Sequence, residues 1–165
     1  MMQSKPTLTN DENILVNCAH LMSQSSPWTD FYFSYEECVL LLAPSTGIQV
    51  YAVQDGGNLL AFVAVDPTGI GSEPMLEYVC VAPESRGKGV GTQLVTFFED
   101  VLFPGADNLY LFVSDINTRA KALYERLGYR QVGEFPDFNL VGQTEFLMRK
   151  TRRPRQLRWM KQNLE

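Results

Sequence analysis

Gly87, Gly89 and Gly91 occupy alternate positions in Val79-Cys80-Val81-Ala82-Pro83-Glu84-Ser85-Arg86-Gly87-Lys88-Gly89-Val90-Gly91-Thr92. An apolar strand pattern runs into this turn, and a helical pattern starts directly after it. Without Cβ atoms, backbone N–H groups in such a turn can come close to a ligand. Those groups, backed by the positive end of the next helix dipole, suit a phosphate. Arg86 and Lys88 add positive charge at the same place.

Spacing separates the phosphate-binding motifs. A P-loop needs G-x-x-x-x-G-K-[ST], but here Lys88 stands between glycines. A dinucleotide fingerprint needs G-x-G-x-x-G, whereas Gly87, Gly89 and Gly91 give G-x-G-x-G with Leu94 three places further on. Neither fits. Arg86-Gly87-Lys88-Gly89-Val90-Gly91 does fill the pattern [QR]-x-x-G-x-[GA], preceded by Val79, Val81 and Pro83. The segment thereby resembles the coenzyme signature of the GNAT (Gcn5-related N-acetyltransferase) superfamily. A second stretch, Asn117-Thr118-Arg119-Ala120-Lys121-Ala122-Leu123-Tyr124-Glu125-Arg126-Leu127-Gly128-Tyr129, resembles the later signature of that family, N-x-x-A-x-x-[LF]-Y-x-x-x-G-[FY]. The resemblance runs from about Ile48 to Lys150.

That resemblance implies acetyl-CoA as acyl donor and no metal. It places pantetheine contacts along Val79, Cys80 and Val81, and pyrophosphate contacts at Arg86, Gly87, Lys88, Gly89, Val90, Gly91 and Thr92. Asn117 is expected to contact the coenzyme, and Tyr124 to stand near its sulfur. Acetyl transfer to an amine needs a neutral amine, donors for the carbonyl oxygen and a donor for the departing thiolate. Tyr124 is the candidate acid, although helical periodicity alone makes it a core aromatic beside Ala120, Leu123 and Leu127. Glu77 is the candidate base: it interrupts an apolar strand and shares a side of the pleat with Val79 and Val81. A carboxylate paired with a cation at a strand edge is the competing role for it. Ser114 and Asp115 are its rivals as base.

Other elements must position these groups. Thr9-Asn10-Asp11-Glu12 and Ser34-Tyr35-Glu36-Glu37 both read as capping boxes opening helices. Strands are expected at Ile48–Val53 and Leu59–Val65 around Asp55-Gly56-Gly57-Asn58, then at Met75–Val81. A helix follows from Val90 to Leu102 with Leu94, Phe97, Phe98 and Val101 on one stripe. The run Leu109–Val113 reads as a strand buried on both faces. A helix ending at Gly128 comes next, and strands near Tyr129–Val132 and Gln143–Arg149 close the domain. This order predicts an α/β (α+β) fold with a mixed, mostly antiparallel sheet flanked by helices on both faces. The family usually opens with a strand, for which only Pro6–Leu8 is available. One domain over residues 1–150 is expected, followed by a basic tail over 151–165.

Acceptor chemistry is less explicit. In the resembled family, the connection Pro27–Tyr35 and the loop Phe135-Pro136-Asp137-Phe138-Asn139 shape the acceptor site. Asp30, Asp137 and aromatic walls suit a cationic amine, and packing of the aromatics onto the sheet is the plainer alternative. His20 is expected to be structural. A small primary amine, reached by direct transfer in a ternary complex, is the expected acceptor. A protein N-terminus or lysine is an alternative, as is a module that binds the coenzyme without catalysis.

Composition narrows the class. The chain has 165 residues, 45% hydrophobic and 20% charged. No apolar run approaches a membrane span. Cys18, Cys38 and Cys80 form no C-x-x-C pair, which predicts free buried thiols, no zinc site and a cytoplasmic setting. Arg149–Glu165 holds seven basic residues against one acid, a net +6 that leaves −11 on the rest of a chain whose total is −5. An acidic body disfavours nucleic acid and favours cationic ligands. The tail is expected to be a solvated helix or frayed end, and a homodimer with Trp159 at its interface is left open.

Overall fold

The computed structural model describes residues 4–154. Among them are seven strands: β1 Thr7–Thr9, β2 Gln49–Asp55, β3 Asn58–Asp66, β4 Met75–Val81, β5 Asn108–Ser114, β6 Arg130–Pro136 and β7 Thr144–Thr151. Four α-helices join them: α1 Glu12–Ser23, α2 Tyr35–Leu41, α3 Val90–Thr96 and α4 Thr118–Arg126. The expected α/β class, with a mixed and mostly antiparallel sheet, is the one found. The described residues divide into two compact units. One comprises the chain up to Asp66 with Leu76–Leu102, the other Pro67–Met75 with the residues from Phe103 on.

In the first unit the strands lie in the order β1-β2-β3-β4. The opening strand is present, one residue later than Pro6–Leu8, and pairs antiparallel with β2 so that Thr7 faces Ala52. Because Thr9 belongs to β1, it does not cap α1 as expected. Its Oγ1 instead accepts the N–H of Asp11, and Asp11 Oδ1 caps the helix by accepting from Asn13 at 2.8 Å and Ile14 at 3.3 Å. The second capping box forms as expected, with Ser34 and Glu37 each accepting the other's N–H. Gly56 and Gly57 take positive φ angles of 54° and 84° at the β2–β3 hairpin, where a side chain would be strained.

Two cores lie on the two faces of this sheet. Cys18, Ala19 and Met22 of α1 and Cys38 of α2, with Leu42 and Trp28, pack on Val50, Ala52, Phe62, Ala64 and Cys80. Alternation sends Val53, Ala61, Val63 and Val65 to the opposite face. There Phe97 meets Tyr51 edge-on at 5.5 Å, and Leu94, Val95 and Phe98 are fully buried. Burying each such side chain is worth about 1.5–3 kcal/mol. The expected stripe fails at its end: Phe97–Leu102 continues α3 as a wider π-helical turn, and Val101 is exposed. A π turn holds more residues than an α turn, so positions beyond it rotate off the α-helical stripe.

In the second unit β7 lies between β5 and β6, antiparallel to both. β5 is not buried on both faces: Leu109, Leu111 and Val113 are buried, while Tyr110 and Phe112 are half-buried. Lys121 of α4 lies 4.4 Å from the ring centre of Phe146, which places α4 on the face that Phe146 occupies. The Phe112 face carries no α-helix of this unit. Gly128 ends α4 with φ 94°, the left-handed cap that its position predicts. The start of the tail stays largely exposed but is tied down by side-chain bonds. Arg152 donates to the carbonyls of Phe103 and Pro104, and Arg153 pairs with the fully buried Asp107 and donates to the Gly105 carbonyl. Trp159 and the rest of the tail lie outside the described residues.

Candidate active site

The glycine turn is built from β4 outward. Ala82 N–H donates to the Leu60 carbonyl at 2.9 Å, after which Pro83–Ser85 make one 3-10 turn. Arg86 is fastened rather than free: Nε donates to the Val81 carbonyl at 2.9 Å and Nη2 to Ser25 Oγ at 3.1 Å. Gly87 and Gly89 have φ angles of 75° and 79°, a region that disfavours any other residue there. Gly89 caps α3, whose first backbone hydrogen bond runs from Gln93 N–H to the Gly89 carbonyl. The N–H groups from Gly87 to Thr92 thus find no acceptor among the described residues. Gly87, Lys88 and Gly89 are exposed, and a Cβ built on Gly87 meets nothing within 4 Å. A run of open N–H groups at a helix start is the arrangement that a pyrophosphate requires.

β4 leads to this turn with two different sides. Cys80 and Tyr78 belong to the α1–α2 core, so Cys80 can offer a ligand only its backbone. Burial holds its thiol up at about 11, which keeps it protonated and unreactive at neutral pH. Cys18 and Cys38 are likewise buried free thiols, as the sequence predicts. Glu77, Val79 and Val81 occupy the alternate side and are half-buried. Desolvation, and after it the charge of Asp66, push the Glu77 carboxyl above the ordinary carboxylate range. That is the direction a general base needs to work near neutral pH. No motif marks Asp66, an acid at a strand end.

The second unit holds the later motif. Asn117 caps α4, its Oδ1 accepting from Ala120 N–H at 3.3 Å, and its backbone N–H and carbonyl bond Ser114 and Lys121, so its expected coenzyme contact falls to the side-chain NH2 group. Tyr124 is buried against Tyr129, ring centres 6.0 Å apart, and desolvation raises its phenol to about 12. Transfer of that proton to a thiolate whose parent acid has a pKa near 8.5 is uphill by about 5 kcal/mol. Tyr124 is thus better suited to donating a hydrogen bond than to releasing a proton. Asp115 is already engaged: Oδ2 accepts from Thr144 N–H at 3.1 Å and Oδ1 from Ser114 Oγ at 3.4 Å. This weakens it as a rival base.

On the acceptor side, Trp28 is buried edge-on to Tyr78, so this part of the Pro27–Tyr35 connection serves the core. His20 stacks on Tyr35 at 4.2 Å. Asp30 accepts from Ser26 Oγ. Asp137, with φ 57°, closes the turn to Gly142, whose N–H its Oδ1 accepts. The acid that the sequence analysis missed is Glu145, buried on β7 opposite Ser114 and Phe135. It interrupts an apolar strand as Glu77 does, and the same criterion applied to Thr144–Thr151 finds it.

A family model of the acetyltransferase (GNAT) family matches residues 15–129. The chain belongs to the GNAT family. Among curated relatives, streptothricin acetyltransferase of Streptomyces lavendulae is 35% identical over 50% of this chain and 44% of its own length. The N-alpha-acetyltransferase RimI of Mycobacterium tuberculosis is 29% identical over 70% of this chain and 72% of its own length. A solved aminoglycoside 6'-acetyltransferase of type Ii is 28% identical with a TM-score of 0.65, covering 88% of this chain and 96% of that one. The chain spans only 43% and 44% of the first curated relatives it matches. GNAT membership accounts for both motifs, which fall within the matched span. No helix among the described residues is long and apolar enough to cross a membrane.

Proposed function

We propose that this GNAT protein is an N-acetyltransferase that moves the acetyl group of acetyl-CoA to a primary amine of a small molecule, by direct transfer in a ternary complex. The carrying observation is the run of N–H groups from Gly87 to Thr92 left without acceptors at the start of α3. Acetyl-CoA fits that run: the turn leaves the donors open, and Lys88 brings a cation to phosphate. When bound, it supplies an acetyl group activated as a thioester. The backbone of Val79 to Val81 would align its pantetheine arm, and a strand N–H would stabilise the charge that gathers on the carbonyl oxygen. Glu77 receives the proton of the acceptor nitrogen, directly or through water. Tyr124 donates a hydrogen bond where negative charge collects on the departing sulfur.

The names of the streptothricin and aminoglycoside enzymes support a small-molecule amine. The RimI relative keeps a protein N-terminus as the second acceptor class. A panel of amines and peptides, scored by thiol release and by mass of the acetylated product, tests the proposal. Turnover confined to small amines is expected; turnover confined to peptides favours the second class. A protein that binds acetyl-CoA yet acetylates neither is a binding module.

A further inference from the structure

The Phe112 face of β5, β7 and β6 carries a buried carboxylate that the reaction above leaves unused. Ser114 faces Glu145 and Phe112 faces Leu147 across β5 and β7, and β6 sets Phe135 opposite Glu145. Directly opposed residues point to one side of a sheet, so Phe112, Ser114, Phe135 and Glu145 share a face. Phe138 completes a triangle of rings, 5.5 Å from Phe112 and 5.8 Å from Phe135, with Phe112 and Phe135 5.2 Å apart. Phe135 is 38% and Phe138 58% exposed, so the rings are reachable from solvent.

Glu145 itself is 5% exposed, and its Oε1 has no hydrogen-bond partner among the described residues. Gln143 Oε1, two residues earlier, is a second buried acceptor without a donor. Asn139 and the Ser114 hydroxyl lie within hydrogen-bonding reach of the Glu145 carboxyl, but no Lys or Arg among the described residues pairs with it, and Asp115 adds a like charge nearby. The site is therefore rich in acceptors and π faces and short of donors and positive charge. An ammonium group supplies both: three N–H donors and a cation that favours ring faces.

We propose that Glu145, with Phe112, Phe135 and Phe138, forms a subsite for an ammonium group of the acceptor other than the nitrogen that is acetylated. The acceptor then carries at least two basic nitrogens. The attacking nitrogen must be neutral, whereas a carboxylate beside aromatic rings stabilises the charged form, so one nitrogen cannot serve both needs. Glu145 is thus a specificity residue, and its role rests on the N-acetyltransferase function proposed above.

The test uses 1,5-diaminopentane, its neutral analogue 1,5-pentanediol and the monoamine pentylamine. Binding is followed by NMR of the phenylalanine rings, with and without acetyl-CoA, so the result does not depend on turnover. The diamine is expected to bind, the diol not, and Glu145→Gln to weaken the diamine at least tenfold without lowering the melting temperature. Phe138→Leu, at an exposed ring, should weaken it severalfold without touching the buried carboxylate. In turnover the diamine should exceed pentylamine in kcat/KM, with Glu145→Gln removing that advantage through KM. Failure of the diamine to bind, or equal binding by wild type and both variants, overturns the subsite. Failure to bind acetyl-CoA overturns instead the function on which it rests.

Discussion

The guanidinium of Arg86 donates to the hydroxyl of Ser25 at 3.1 Å, linking the first residue of the glycine turn to the segment that follows α1. The same side chain donates to the Val81 carbonyl at 2.9 Å, so one planar fork holds the end of β4, the turn and the α1 end together. Arg86 acts on the turn's shape before it acts through charge. Arg86→Lys, which keeps the charge and loses the fork, should weaken acetyl-CoA binding about as much as Arg86→Ala. Ser25→Ala should reproduce part of that loss. Calorimetric titration checks this; full affinity in Arg86→Lys would return Arg86 to a simple phosphate cation.

Gly89 tests the backbone approach. Its φ of 79° strains a β-branched residue, at about 1–3 kcal/mol for a non-glycine held in a sparsely populated region. Nothing but the end of Gln93 lies within 4 Å of a Cβ there. Gly89→Val should therefore fold, with a lowered melting temperature, and fail to bind acetyl-CoA. Retained binding in a folded variant would contradict the placement of the pyrophosphate.

How far the sequence discloses this site depends on how local each determinant is. The glycine turn, the Met75–Val81 strand and the Gly128 cap follow from residues adjacent in the chain, and the structure places them where the pattern does. Asp11 displaces Thr9 as the cap of α1 because Thr9 is recruited into β1 by pairing with Val50 of β2, a nonlocal event. Val101 leaves its stripe because the helix widens, which periodicity at 3.6 residues per turn does not anticipate. Glu145 can be picked out as an acid in an apolar strand, but its cross-strand neighbours Ser114 and Phe135 are revealed by no spacing within one strand. The Arg86–Ser25 bond joins residues 61 apart and is equally invisible.

Glu77 gives a pH dependence with a definite sign. Its folded pKa is raised, so the folded state holds its proton more tightly than the unfolded chain. Stability tied to this group is therefore full below the ordinary carboxylate pKa and falls as pH rises through the raised value. Glu77→Gln should then be more stable than wild type at neutral pH, the gap closing as pH drops below the ordinary carboxylate range. Its turnover should be lower, and the rise of rate with pH that marks base ionisation should disappear. Thermal melts across pH and a pH–rate profile check both halves; an unchanged profile would leave Glu77 as a structural acid.

Tyr124 should act on turnover more than on binding. Tyr124→Phe keeps the ring against Tyr129 and removes only the hydroxyl. Loss of one hydrogen bond to developing charge lowers kcat by about tenfold to a hundredfold if it is worth about 1.5–3 kcal/mol. The acetyl-CoA dissociation constant should stay within about twofold. Equal kcat in the variant would make Tyr124 a core aromatic.

Asp107 and Arg153 anchor the start of the tail. Asp107 is fully buried, and its Oδ1 pairs with Arg153 Nε. Arg153→Ala leaves that carboxylate buried without the pair and should cost about 3 kcal/mol, or less as water reaches the half-exposed site. Chemical denaturation measures it; a loss under about 0.5 kcal/mol would show that the pair is screened.

The central claim is transfer of acetyl from acetyl-CoA to an amine. Thiol release from acetyl-CoA, followed with the amine and peptide panel and matched to the mass of the product, tests it most directly. Amine-dependent release with one N-acetyl group formed per thiol is the predicted result. No amine-dependent release from a folded protein that binds acetyl-CoA would contradict it.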